Sequence, residues 1–196
     1  MALRRSRGMT IVSSAVSVAE QLQHDCSILL ELFRKKESFS SDVTVADSRL
    51  VSVQLSSSRL DCQDKLWCLY SALVQCRALM DKAISREEEE LSSGQTGEYE
   101  KQRKVVKDRV SFLIAKTGEM IKSQDSSALI TSSVGSEVVC PTALFELKLW
   151  VYRVYKEVDY WAKMAISTFQ ALRGNLSVPT RRSRRSNMSS RGELRR

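Results

Sequence analysis

The stretch Leu144–Leu172, LFELKLWVYRVYKEVDYWAKMAISTFQAL, decides the fold. Advance about 100° per residue along it, as a helix does, and Leu147, Val151, Val154, Val158, Trp161, Ala165 and Leu172 fall within roughly 40° of one line. That line is a buried face. Phe145 lies roughly 160° from it and Lys148 roughly 100°, so neither belongs to it. Phe145, Lys148, Tyr152, Tyr155 and Asp159 form an outward stripe. Three aromatics there exceed what solvation needs. Either the stripe is a contact surface, since interface hot spots use aromatic anchors beside a cation, or the connection 124–140 folds over Phe145.

The helix spans about 142–173. Pro141 stands where a first turn tolerates proline. Gly174 stands just past the end, with Pro179 beyond, as helix stops do. Three more segments share the helical period. The first, about 11–36, carries Val12, Val16, Ala19, Leu22, Cys26, Leu29, Leu30 and Phe33 on one face. Lys35 and Lys36 suit its negative C-terminal dipole. The second, about 59–86, turns Cys62, Leu66, Leu69, Tyr70, Leu73, Met80 and Ile84 inward. Arg77 interrupts that face, its stem free to lie along apolar surface. Glu87–Glu90 reads as a solvated helix end. The third, about 98–123, aligns Tyr99, Val106, Val110, Leu113, Thr117 and Met120, with Gly118 a local weakness.

The connections run long, short, long. Residues 37–58 are serine-rich, with β-like runs at Val43–Ala46 and Leu50–Leu55 that make no convincing sheet. Gly94 and Gly97 mark a short link, and 124–140 is long again. Long structureless loops need a reason. An up-up-down-down bundle supplies one, because each long crossover returns the chain to start a parallel helix. The expectation is an all-α long-chain four-helix bundle over 11–176, preceded by a disordered basic arm at 1–10 and followed by a disordered Arg/Ser-rich tail at 177–196.

The net charge is +8, but residues 181–196 hold +6 of it and residues 1–9 hold +3, which leaves −1 for the segment between. A nucleic-acid-binding fold carries its basic charge on an ordered face, so nucleic acid is not an expected partner of the bundle. Catalysis lacks its parts. His24 is the single histidine and lies off the buried stripe. No phosphate-cradling glycine loop, HExxH or zinc spacing occurs. The expectation is no enzyme, no cofactor and no metal. Five cysteines, Cys26, Cys62, Cys68, Cys76 and Cys140, form an odd set without CxxC and read as reduced thiols. No run approaches the roughly 20 apolar residues of a membrane span. The N-terminus resembles a signal peptide in layout, but Ser13, Ser14 and Ser17 leave it barely hydrophobic. In the tail, Arg182–Arg185 has the form of a processing or nuclear-import site, and Asn175-Leu176-Ser177 and Asn187-Met188-Ser189 are sequons.

Leu144-Phe145-Glu146-Leu147-Lys148-Leu149-Trp150, followed by Val154, Glu157, Trp161, Ile166 and Leu172, resembles the last helix of the interleukin-6-type long-chain cytokines. Ala19–Asp25 with Leu30, Glu31 and Phe33 is similar to their first helix, Val45-Ala46-Asp47 to their first crossover, and Leu79-Met80-Asp81 to the end of their second. The resemblance implies a receptor-assembling growth factor that works through JAK-STAT signalling. It implies that Phe145 and Lys148, as the family's Phe-x-x-Lys, contact the leukaemia inhibitory factor receptor. It implies a shared signal-transducing subunit on the surface of the first and third helices, including Asp25 and Asp108. An alpha receptor, such as ciliary neurotrophic factor receptor alpha, would take Gln23, Met164, Gln170 and Arg173. There the sequence departs from the family. Glu20, Gln23, Met164 and Gln170 stand where arginines are expected, and the crossover has no Trp, Trp67 lying in the second helix instead. The implied location is cytoplasmic, with action outside the cell after unconventional release. The competing reading is an intracellular helical adaptor with a nuclear-targeting or RNA-binding tail.

Overall fold

The structure is a computed structural model that describes residues 2–39, 49–53, 61–90, 97–124 and 140–177, the side chains of 2–8, 124 and 175–177 excepted. It consists of four helices, α1 (Ala2–Lys36), α2 (Cys62–Glu90), α3 (Glu98–Gln124) and α4 (Leu144–Ser177), with no strand among the described residues. The run Val43–Ala46, residues 125–139 of the connection that was the alternative cover for Phe145, and the tail beyond Ser177 lie outside those residues.

The helix limits differ from expectation for local reasons. Residues 2–10 continue α1 instead of forming a disordered arm. Ala2, Leu3, Arg4, Arg5 and Arg7 are strong helix formers, which outweigh Ser6, Gly8 and Thr10. The second helix starts later because Asp61 caps it. Its Oδ1 accepts the Asp64 N–H at 2.8 Å, and its carbonyl accepts the Lys65 N–H at 3.1 Å. It also runs on through Glu90, where Arg86 pairs with Glu89 at 3.0 Å and with Glu90 at 3.4 Å. The start of α3 is half a capping box, with the Gly97 N–H donating to Glu100 Oε2 at 2.9 Å. Pro141 stands three residues ahead of α4 rather than in its first turn, and Gly174 lies within the helix rather than after it. A side chain at Gly174 would meet nothing within 4 Å, so packing does not require glycine there.

One apolar core joins the helices. On α2 its members, Leu66, Leu69, Leu73, Cys76, Met80 and Ala83, alternate steps of three and four residues. Cys62, Tyr70 and Ile84, expected inward, are only half-buried. α1 packs against α3 and α4, and α2 packs against the same two, while α1 and α2, and α3 and α4, stand diagonally with no close backbone approach among the described residues. Lys36, ending α1, meets Glu100, starting α3; Glu37 meets Lys148, near the start of α4; Asp81 of α2 meets Lys107 of α3. None of the five cysteines is in a disulfide, and burial pushes the Cys26 and Cys76 thiols well up.

The stripe Tyr152–Tyr155 is a correction. Both side chains are buried, not outward. α4 lies between two neighbours, so its buried arc is wider than the single line that periodicity traces. Residues 49–53 dock beside it without forming a strand. Val51 is buried, the Leu50 N–H donates to Glu157 Oε2 at 3.4 Å, and the Arg49 guanidinium lies 3.3 Å from the Tyr160 ring centre. Glu157, itself buried, also accepts the Trp161 indole N–H at 2.9 Å.

Candidate functional site

The first turn of α4 is built against the end of α1. That end is a Schellman cap, in which the Phe39 N–H donates to the Arg34 carbonyl at 3.0 Å and the Ser38 N–H to the Lys35 carbonyl at 3.4 Å. The cap requires a left-handed residue, and Ser38 supplies it at φ 52°. The turn throws Phe39 back onto Phe33 and Tyr152, with ring centroids 5.8 and 6.0 Å apart. Arg34 donates to the Tyr152 hydroxyl. Glu37, its side chain 6% exposed, meets the Lys148 ammonium at 2.6 Å. Glycine is the usual residue at such a turn, so Ser38→Gly is expected to stabilise the fold by about 0.5–1 kcal/mol. A rise in melting temperature of about 1–4 °C is the check.

The same contacts explain the exposure of Phe145. Phe145, Lys148, Tyr152, Tyr155 and Asp159 share a stripe that faces α1. α1 ends at Lys36, and its cap covers the stripe as far as Lys148. Phe145 lies one turn beyond and is 65% exposed, beside Leu144 at 52%. Asp159, at the other end of the stripe, pairs with Lys163 at 2.6 Å. The expectation of an outward Phe145 thus stands, and Lys148 is half-buried in an ion pair rather than free.

No protein-family model and no curated protein matches the chain.

A second surface lies between α1 and α3. Val18, Gln21, Val105, Asp108, Arg109 and Phe112 line a shallow depression of about 470 Å³. Val105 is 37% and Phe112 48% exposed, and the Lys116 ammonium stands 5.4 Å from the Phe112 ring centre. Of the two acids expected here, Asp108 is exposed, whereas Asp25 is buried and paired with Arg109. Sequence reading named the acids and missed Val105 and Phe112. Their signal was an apolar residue off the buried stripe of α3, as with Phe145. The residues proposed for an alpha receptor lie on α1 and α4: Gln23 and Met164 half-buried, Gln170 and Arg173 exposed. Met164 packs against the core. His24 is exposed, and no group of three metal-ligating side chains occurs among the described residues.

The four glutamates are not all solvated. Glu87 is 2% exposed, a second correction. It accepts the Tyr99 hydroxyl at 2.5 Å and the Tyr155 hydroxyl at 2.7 Å, and it pairs with Arg103 at 3.1 Å. The two hydroxyls are 2.8 Å apart. Arg103 reaches out to Glu88 at 2.9 Å, and Phe33 of α1 packs on both tyrosine rings. One carboxylate thus ties α2, α3 and α4 together, with α1 against them. The signal was present: Glu87 continues the stepping Leu73, Cys76, Met80, Ala83.

Burial first, and then the Glu87 carboxylate beside both rings, pushes the Tyr99 and Tyr155 phenols far above their ordinary 10.0. A raised folded pKa gives stability that is complete below the unfolded value and lost as pH climbs above it. On alkaline titration the phenolate absorbance should account for at most three of the five tyrosines while the helical circular dichroism persists. The rest should ionise together with unfolding, above about pH 10.

Proposed function

We propose that the chain is a four-helix cytokine of the interleukin-6 type that assembles receptor chains outside the cell. The juxtaposed receptors let their associated kinases act on each other, with JAK-STAT signalling and neuronal survival and differentiation as the outcome. The mechanism is non-catalytic, and each face acts as a separate site whose simultaneous engagement supplies avidity.

The observation that carries this reading is Phe145, a large apolar side chain 65% exposed in the first turn of α4, with Lys148 one turn on. Exposed apolar surface of this kind marks contact with a partner, here the leukaemia inhibitory factor receptor. This turn resembles that of ciliary neurotrophic factor, a member of the family. The depression with Val105, Asp108 and Phe112 is the surface offered to the shared signal-transducing subunit. Gln23, Met164, Gln170 and Arg173 are the surface offered to an alpha receptor.

We further propose the up-up-down-down order. It is supported by the pairs Lys36–Glu100, Asp25–Arg109, Glu37–Lys148 and Asp81–Lys107, in which higher numbers on one helix meet lower numbers on the next. It is supported also by the absence of close backbone approach between α1 and α2 among the described residues, since a link between non-adjacent helices must be a crossover.

The test adds purified protein to cells expressing the leukaemia inhibitory factor receptor and the shared subunit, with and without each alpha receptor. STAT phosphorylation is the expected result. Silence in every receptor combination would overturn the cytokine reading and favour the intracellular adaptor.

A further inference from the structure

Lys148 is the one cation of the exposed first turn, and it already has a partner inside the molecule. Its ammonium lies 2.6 Å from Glu37 Oε2, with side-chain exposures of 26% for Lys148 and 6% for Glu37. Glu37 is held there by the cap of α1, in which Ser38 takes φ 52° and Phe39 locks onto Phe33 and Tyr152. Non-glycine residues at positive φ persist only where their surroundings over-determine them. Drawing Lys148 away to a partner's carboxylate would leave a nearly buried Glu37 without its cation, an arrangement proteins avoid.

We infer that Lys148 recognises no charged group on the receptor and that Glu37 is a positioning residue for the site. The Glu37–Lys148 pair fixes the first turn of α4 to the end of α1, so that the partner meets Leu144 and Phe145 as an uncharged apolar protrusion. The matching receptor surface is then an apolar pocket with no carboxylate placed for Lys148. This inference rests on the proposed cytokine reading and states the chemistry of that same site.

A double-mutant cycle separates an internal from an external role for Lys148. Affinity for the leukaemia inhibitory factor receptor ectodomain is measured for wild type, Glu37→Gln, Lys148→Met, the double variant and Phe145→Ala, at low and high salt. Hydrogen exchange of residues 144–150 is followed in the unbound proteins. Lys148→Met strands the Glu37 carboxylate and is expected to lose about tenfold in affinity, with faster exchange in the first turn. The double variant, neutral at both positions, is expected to return to within about threefold of wild type and to protected exchange.

A folded double variant as weak as Lys148→Met overturns the inference, because Lys148 then touches the receptor. So does a gain of affinity in Glu37→Gln, which would make Glu37 a competitor, and so does an unchanged Lys148→Met. If wild type fails to bind while the exchange arm behaves as expected, the receptor reading has failed and the positioning role of Glu37 stands. If wild type binds and Phe145→Ala loses affinity but the double variant is not restored, the inference alone has failed.

Discussion

Glu87→Ala is expected to destabilise the protein by about 3–5 kcal/mol, the range for removing one partner of a buried ion pair. Glu87 is the common acceptor of three donors, the Tyr99 and Tyr155 hydroxyls and the Arg103 guanidinium. Without it the hydroxyls retain only each other at 2.8 Å. Arg103, 7% exposed, retains Glu88 as its one ion-pair partner among the described residues. A cavity opens between α2, α3 and α4 as well. In a domain of this size the melting temperature should fall by about 6–20 °C. Glu88→Ala is the control. Its side chain is 61% exposed, so its loss should change stability by less than about 1 kcal/mol. Equal effects in the two variants, measured by denaturant unfolding, would show that Glu87 is solvated. The energetic weight lies in the unpaired remainder rather than in the pair itself, so a simultaneous apolar replacement of Glu87 and Arg103 is expected to cost less than Glu87→Ala alone.

Phe145→Ala is expected to act in the opposite way, with little effect on the fold and a large one on binding. The ring is 65% exposed, so its removal should change stability by less than about 0.5 kcal/mol. If it fills a receptor pocket, the loss should be that of an interface hot spot, 2 kcal/mol or more, which is about 30-fold in affinity. The measurement pairs receptor affinity and STAT phosphorylation with circular dichroism of the same preparation. A helical Phe145→Ala protein that signals at full strength would sink the site assignment. Phe112→Ala gives a second reading on the α1/α3 surface, where exposure is 48% and the same reasoning applies.

Much of the architecture was legible in apolar spacing. The stripe of α3 is buried as read, from Tyr99 to Met120, and so is the line from Leu147 to Leu172 on α4. Helix existence follows from the period of the residues that must leave water, and period is a property of sequence. The limits of the helices were less legible. The Asp61 cap and the Arg86 pairs that carry α2 through Glu90 are local contacts that compete with the apolar stripe in setting an end.

The sequence by itself determined four amphipathic helices and a Phe145 that no stripe could bury. Which polar groups go inside was decided by tertiary structure. Glu87 looked solvated within a run of glutamates, and it is buried because Tyr99, Arg103 and Tyr155 arrive from two other helices to satisfy it. Tyr152 and Tyr155 looked outward because one helical wheel knows only one neighbour, whereas α4 has two. Lys148 looked free because its partner, Glu37, is 111 residues away in sequence and is placed by the cap of another helix. Periodicity reports which side of a helix avoids water. Only the packing of all four helices reports how wide that side is and which charges find partners within it.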